Sequence, residues 1–376
     1  SAGKVLHGLY DYRSAAQQAA TSASWINRED RPFLWDHRAE MPAEPLPWPR
    51  PMHGMQEEWG TGRKLSPQLD WGALPDDQLP VQPDVQNTNT VIQWLQDPPP
   101  QPFFMALGLY RPHLPWYVAQ SDLDRYPLDA LPLPRVLAND LDDVPDIAKT
   151  WALNPADHAT ITGNGQWKQA VQAYLASITF TDRQIGRVLD ALKSSPAADN
   201  TTVVLWSDNG FHLGEKLHWR KFTLWEEATR VPFIIVPPRG ANPNPTPQVI
   251  DTPVSLLDLF PTLFELEGLR PPKTHLDGHR LGALFNHTSG GDQRKPSIEM
   301  APMTSWQDGN HSLRWGSWRY TRYRTGEEEL YDHASDAQEW HNLVQANQLS
   351  TQQQQALAQL RQELQRRISQ ARRPQP

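Results

Sequence analysis

The chain has 376 residues and a net charge of −8, from 35 Lys and Arg against 43 Asp and Glu. That length holds one large domain or two ordinary ones, and that charge disfavours a general nucleic-acid binder, which carries a basic field. Cysteine is absent and no long apolar run occurs, which excludes a disulfide framework, a cysteine-ligated metal, a thiol nucleophile from this chain and a transmembrane helix.

The chain begins Ser1-Ala2-Gly3-Lys4, without Met or a signal-like region, which reads as a processed or truncated end with any targeting segment upstream. Residues 28–102 are rich in proline. Pro-Trp-Pro-Arg-Pro at 47–51 and Pro98-Pro99-Pro100 fit neither a helix interior nor a central strand. Tryptophans at 35, 48, 59 and 71 favour an ordered excursion over a domain surface, because disordered segments are poor in aromatics. Regular pattern starts at Phe103, where 103–109 is an apolar run of strand length. Over 167–193, Val171, Tyr174, Leu175, Ile178, Ile185, Val188, Leu189 and Leu192 make one apolar stripe, which predicts a long helix. Residues 201–206 and 231–236 read as two more buried strands, and Leu256 to Leu266 as a helix that stops at Gly268. This order predicts an α/β fold with a mostly parallel central sheet flanked by helices. Beyond about 290, Leu313 to Tyr323 and Glu329 to Tyr331 read as short strands of a small antiparallel sheet. Ser350 caps a final helix with Leu357, Leu360, Leu364 and Ile368 on one face. The expected division is an α/β domain over 1–290, including the excursion at 28–102, and a C-terminal α+β subdomain over 291–376.

The sharpest chemical signal follows 201–206. Ser207-Asp208-Asn209-Gly210 puts Asp208 and Asn209 on a turn leaving a strand, where open α/β sheets build their sites. Carboxylate and amide oxygens suit a hard cation such as calcium. His212, Lys216, His218, Arg220 and Lys221 follow on a glycine-containing loop; the lysines and arginine offer charge to an anion, and a polar turn with solvated charges is the competing reading. Tyr110-Arg111-Pro112-His113-Leu114-Pro115-Trp116 sets His113 between prolines, which suits proton transfer to a leaving group or a structural bond to a carbonyl. Lys4 and His7 share a face if the start is a helical turn, and otherwise lie on a frayed end. Asn310-His311-Ser312 precedes the C-terminal strands and either reaches the lip of a site or lies in a surface loop. The 16 tryptophans join a large apolar face to one donor, as sugar sites use, or serve ordinary packing.

Together these segments resemble the sulfatase family of the alkaline-phosphatase-like superfamily, in its iduronate-2-sulfatase-like and bacterial polysaccharide sulfatase branch. The residues that carry the resemblance run the length of the chain. They are Gly3-Lys4-Val5-Leu6-His7, Leu69-Asp70-Trp71-Gly72, Tyr110 to Pro115, Tyr174 to Ile178 with Asp182 to Gly186, Ser207 to Gly210 with Leu213-Gly214-Glu215, Asp258 to Leu263, and the C-terminal Trp318-Arg319-Tyr320, Glu329 to Asp332 and Asn342-Leu343. The resemblance implies hydrolysis of sulfate esters on a sulfated carbohydrate, with calcium and a formylglycine nucleophile made from a Cys/Ser-x-Pro-x-Arg motif. Carried over residue by residue, it implies Asp208 and Asn209 as metal ligands and Lys221 as a sulfate-binding cation. It implies His113 as sulfate contact or leaving-group acid, and Lys4 and His7 beside the nucleophile. His212, Lys216 and His311 are expected to bind substrate.

In the family an Asp-Asp pair and the nucleophile motif precede Gly-Lys-x-x-His, where this chain has only Ser1 and Ala2. The missing N-terminal part is expected as a bound fragment of a processed protein, as the rest of a longer protein, or not at all in a pseudoenzyme. A phosphonate or phosphate ester hydrolase of the same superfamily and a catalytically inactive sulfatase-like glycan-binding protein are the alternatives. An extracytoplasmic location is expected by resemblance.

Overall fold

In the computed structural model four short strands, Ala2–Gly3 (β1), Trp71–Leu74 (β2), Leu107–Gly108 (β3) and Trp116–Ala119 (β4), pair in parallel, β1 with β3 and β2 with β4. The structure describes residues 2–3, 69–98, 100, 102–239, 247–273, 275–285 and 297–371. Lys4, His7 and the stretch 28–68 of the expected excursion lie outside the described residues. The chain divides into two units, one of residues 1–133, 160–202 and 238–242, the other of 134–159, 203–237 and 243–376.

In the first unit the end of the proline-rich stretch contributes buried residues. Leu69, Trp71 and Leu74 are buried, and Pro83–Gln96 (α1) is a helix with Pro83 in its first turn, where the missing N–H costs nothing. The long helix forms over Trp167–Lys193 (α2). Gly165, at φ +65, ends the preceding turn, and Pro196 blocks continuation beyond Ser195. Val188 and Leu192 of α2 pack with Val91 and Leu95 of α1. The buried face of α2 is richer in small residues than its apolar stripe suggested: Ala170, Ala173, Ala176 and Ser177 are interior, while Ile178 and Leu189 are exposed. Of the apolar run 103–109, Leu107–Gly108 forms the strand, and Phe104 is 68% exposed.

In the second unit Val203–Trp206 (β5) pairs with Phe233–Val236 (β8), and His212–Leu213 (β6) with Trp219–Arg220 (β7), both antiparallel. The expected parallel arrangement does not hold for β5 and β8. The connection over 207–232 is long enough for a parallel crossover, but its longest helix, Glu226–Thr229, has only four residues and does not make the usual crossover helix. Neither strand is buried as expected; Trp206, Ile234 and Val236 are each more than 40% exposed. Leu259–Leu266 (α3) follows a capping box of Ser255 and Asp258 and ends before Gly268, whose φ of +62 suits a residue without Cβ.

The C-terminal region is an antiparallel sheet of Met303–Ser305 (β9), His311–Trp315 (β10), Trp318–Arg322 (β11) and Glu328–Asp332 (β12), in that spatial order. Thr351–Ala371 (α4) packs Leu357, Leu360 and Leu364 against Leu313, Trp318, Tyr320 and Leu330. Each such leucine contributes about 1.5–3 kcal/mol on burial. Ser350 accepts from the Gln353 N–H at 3.3 Å, and the Gln353 side chain accepts from the Ser350 N–H at 2.8 Å, a reciprocal cap. The fold class is α/β with this C-terminal sheet and helix. No helix among the described residues is long and apolar enough to cross a membrane.

Candidate active site

The turn after β5 is clamped from its own backbone. The Gly210 N–H donates to the Ala228 carbonyl at 2.9 Å, and the Ser207 N–H to the Pro232 carbonyl at 3.3 Å. A Cβ on Gly210 would lie 1.9 Å from the Glu227 carbonyl oxygen, so only glycine lets the chain pass. The clamp presents Asp208 and Asn209 side by side. Asp208 is exposed and its carboxylate engages no described residue. Asn209 Oδ1 accepts from Lys221 Nζ at 2.9 Å, and its Nδ2 donates to the Gly210 carbonyl at 2.8 Å. The structure thus brings together three of the residues singled out in the sequence. The exposed Asp208 carboxylate offers an oxygen to a cation of the calcium kind, and Asn209 Oδ1 a second one that such a cation would share with Lys221, as part of the six to eight oxygens it takes.

Lys221 owes its position to a loop held on both sides. Lys216, Leu217 and Arg220 sit at φ 55, 51 and 87, in a region that costs L-residues about 1–3 kcal/mol each unless the surroundings compensate. Lys216 Nζ is buried, 2.6 Å from Asp140 Oδ1, and also donates to the Glu339 carbonyl. Arg220 Nε donates to the buried Asp157 carboxylate at 2.5 Å. Burial pushes both aspartates up, and the paired cations draw them back. Truncating one partner of such a buried pair strands the other charge, at about 3–5 kcal/mol.

Two residues expected as substrate contacts lie inside the fold. His212 and Lys216 are interior residues, at 0% and 2% exposure. His212 donates from Nδ1 to the Glu215 carbonyl at 3.2 Å, which leaves Nε2 to accept from the Thr223 hydroxyl at 2.9 Å. Burial holds its pKa well below the ordinary value, with the nearby His218 adding to the effect. His218 donates from Nδ1 to the Ala152 carbonyl at 3.0 Å, and burial lowers its pKa to about 4.

His113 lies in the first unit. The Asp84 carboxylate accepts from the Tyr110 N–H at 2.6 Å and the Arg111 N–H at 2.9 Å, and the Thr181 hydroxyl donates to the Arg111 carbonyl at 3.0 Å. These bonds fix the loop that carries the histidine. His113 Nδ1 donates to the Leu114 carbonyl at 2.6 Å, so in the neutral ring Nε2 is the basic nitrogen. His311 opens β10 in the second unit, with Nδ1 2.7 Å from Ser305 Oγ.

Among the described residues one group of three potential metal ligands occurs, Glu226, His333 and Glu339. Cations already fill it: Arg319 pairs with Glu226 and, at 2.6 Å, with Glu339, and Arg314 lies 3.4 Å from Glu226. Burial alone would raise Glu339, but Arg319 and His333 outweigh it and hold the carboxyl at about 2. A metal ion there would meet two guanidinium groups, so the group is an internal ion-pair node. The Glu226 N–H donates to Glu339 Oε2 at 2.9 Å, which ties the short helix behind the Asp208 turn to the C-terminal region. The anchors Asp140, Asp157 and Glu339 were missed in the sequence; nothing local marks them, since their partners lie far along the chain.

A sequence model of the sulfatase family matches residues 11–269, and the chain belongs to that family. It is 39% identical over 285 residues to a protein named sulfatase from Formosa agariphila, covering 73% of this chain and 52% of that one. It is 32% identical over 225 residues to human iduronate 2-sulfatase, covering 50% and 40%. The chain thus spans about half the length of the curated relatives it matches. Among solved structures, a 2-O GAG sulfatase aligns at a TM-score of 0.58 with 20% identity, over 89% of this chain and 68% of that one. A phosphonate monoester hydrolase of Agrobacterium radiobacter aligns at 0.64 with 19% identity, over 80% and 64%.

Proposed function

We propose that the chain is the larger part of an enzyme that hydrolyses sulfate esters on a sulfated carbohydrate, with its nucleophile, a formylglycine, on a segment outside this sequence. The observation that carries the reading is the trio of Asp208, Asn209 and Lys221 at the end of β5, in a chain of the sulfatase family. The carbohydrate class is supported by relatives named for such substrates: a Δ4,5-hexuronate-2-O-sulfatase of Bacteroides thetaiotaomicron, and a solved structure described with its substrate D-glucosamine-2-N,6-O-disulfate.

Each residue then has a physical task. Asp208 and Asn209 hold calcium, which supplies fixed positive charge for the sulfuryl oxygens. Lys221 neutralises the same oxygens, and it is held in place before substrate arrives, so little reorganisation is spent at the moment of reaction. His113, with its ring protonated on both nitrogens, delivers the Nε2 proton to the departing alcohol and is left neutral with Nδ1–H on the Leu114 carbonyl. Lys4 and His7 are assigned to the surroundings of the nucleophile. The low net charge is no obstacle, because local cations decide the binding of one anion.

A second reading, hydrolysis of phosphonate or phosphate esters, is favoured by the phosphonate monoester hydrolase alignment. Kinetics of the full-length protein on sulfated disaccharides and on phenyl phosphonate esters separate the two. The Lys221→Ala variant is expected to lower kcat/KM on the disaccharides about 10²–10³-fold, the effect of removing one preorganised charge-stabilising donor. Undiminished turnover by that variant, or preference for the phosphonate ester, overturns the sulfate reading.

A further inference from the structure

We propose that Phe222 and Trp306 form an aromatic platform that seats the sugar ring of a sulfated saccharide whose sulfate lies at Lys221. The proposal rests on the sulfate-ester reading and adds to it the surface that recognises the part of the substrate that is not sulfate.

The two rings lie 5.0 Å apart between centroids and are tilted by 31°. Phe222 is 43% exposed, although a ring of that size gains by burial. It is the residue after Lys221, so the two side chains leave the same stretch of backbone, their Cα atoms about 3.8 Å apart. The Thr223 N–H donates to the Lys221 carbonyl at 2.6 Å, which closes a tight turn around Phe222.

The other half of the platform is built into the β9–β10 hairpin. Trp306 exchanges two bonds with Asn310: its N–H donates to the Asn310 carbonyl at 3.2 Å, and Asn310 Nδ2 donates to its carbonyl at 2.9 Å. Asn310 is fully buried, and its Oδ1 accepts from the Arg324 N–H at 3.0 Å. Gln307 and Gly309 take φ of +55 and +83 to close the loop. The backbone that carries the indole is therefore fixed ahead of any ligand, and the ring itself rests against Phe222, which lowers the ordering cost of binding.

The chemistry of the surface selects a sugar. With centroids 5.0 Å apart the two rings cover part of one another, and the faces turned away from that contact are left to take the C–H face of a pyranose, while polar groups at the edge take its hydroxyls. The Trp306 Nε1–H engages no described residue, and His311, whose Nδ1 is taken by Ser305, brings a second ring nitrogen to the same hairpin. Gln307 and Asp308 are exposed beside Trp306, so the apolar area is small and rimmed by polar side chains. That suits one ring and not a lipid or an apolar helix, which need a broad continuous patch.

Steady-state kinetics of the full-length protein test the platform, with sulfated disaccharides as substrate and inorganic sulfate as a competitive inhibitor that has no ring. Trp306→Ala is expected to raise KM for the disaccharides about tenfold, the worth of a good aromatic contact, and to leave kcat and the sulfate Ki unchanged. Trp306→Phe restores most of the loss, and Phe222→Leu moves KM in the same direction. Unchanged KM in Trp306→Ala, or a parallel rise in KM and Ki, overturns the platform. Lys221→Ala separates this from the reading beneath it, since it raises KM and Ki together. If Lys221→Ala changes neither, or the wild-type protein hydrolyses no sulfated disaccharide, the sulfate reading falls and the platform with it.

Discussion

Residues 207–221 hold two kinds of polar side chain within a single loop system. His212, Lys216, His218 and Arg220 are turned inward and bonded: to the Glu215 carbonyl and Thr223, to Asp140, to the Ala152 carbonyl and to Asp157. Asp208, Asn209 and Lys221 are left at the surface, with Asn209 and Lys221 bonded only locally and Asp208 to no described residue. Under the proposed function, this is how the protein keeps charges ready for a ligand. The inward set supplies the restraint, with Lys216 and Arg220 both in left-handed backbone, and on the proposed function the outward set is what the restraint aims.

Changes to the inward set should therefore appear in stability, and changes to the outward set in binding and turnover. The largest expected effect is Lys216→Ala, which leaves the buried Asp140 carboxylate without its cation. It should cost about 3–5 kcal/mol in urea unfolding. The double variant Lys216→Met, Asp140→Leu should recover most of it, because the pair is replaced by apolar groups. Equal stability of Lys216→Ala and wild type would break the comparison at its strongest point.

His218 gives a pH test with a definite sign. Its pKa in the fold is about 4, against 6.5 for an ordinary histidine. Between those values the unfolded chain binds the proton and the fold does not, so stability falls as pH drops from 6.5 to 4. The full shift corresponds to about 3 kcal/mol. Urea midpoints at pH 7, 5.5 and 4 should fall in that order, and His218→Asn should fall less across the same range. An identical slope in the variant would show that His218 is not the group responsible.

A smaller effect is expected from Gly210→Ala. Its Cβ collides with backbone at the Glu227 carbonyl, 1.9 Å away, and relief requires the turn to move by about an ångström or more. A loss of about 1–3 kcal/mol is the usual cost of such overpacking. Because that turn carries Asp208 and Asn209, calcium affinity of the variant should fall as well. A thermal melt paired with a calcium titration checks both, and a variant normal in each would sharpen the comparison by freeing the turn from its clamp.

The sequence showed what is local. The helix at 167–193 rests on its own periodicity and its flanking Gly165 and Pro196. The reciprocal cap at Ser350 and the leucine face of the last helix were legible for the same reason. Strand orientation was not: the apolar runs at 201–206 and 231–236 mark strands, but the connection between them decides that they pair antiparallel. At the site, Asp208, Asn209 and Lys221 stood out as a motif. The inward role of His212 and Lys216 did not, because Asp140 and the Glu339 carbonyl lie 76 and 123 residues from Lys216. The platform was hidden in the same way, since Phe222 and Trp306 meet only through the fold.

Calcium titration of the full-length protein by calorimetry, wild type beside Asp208→Ala, tests the outward set most directly. The account predicts that wild type binds calcium, and that Asp208→Ala loses at least tenfold in affinity while its unfolding midpoint in the absence of calcium is unchanged. Equal calcium affinity in the two proteins would contradict the assignment of Asp208 and Asn209, and with it the division of this loop into a restraining half and a chemical half.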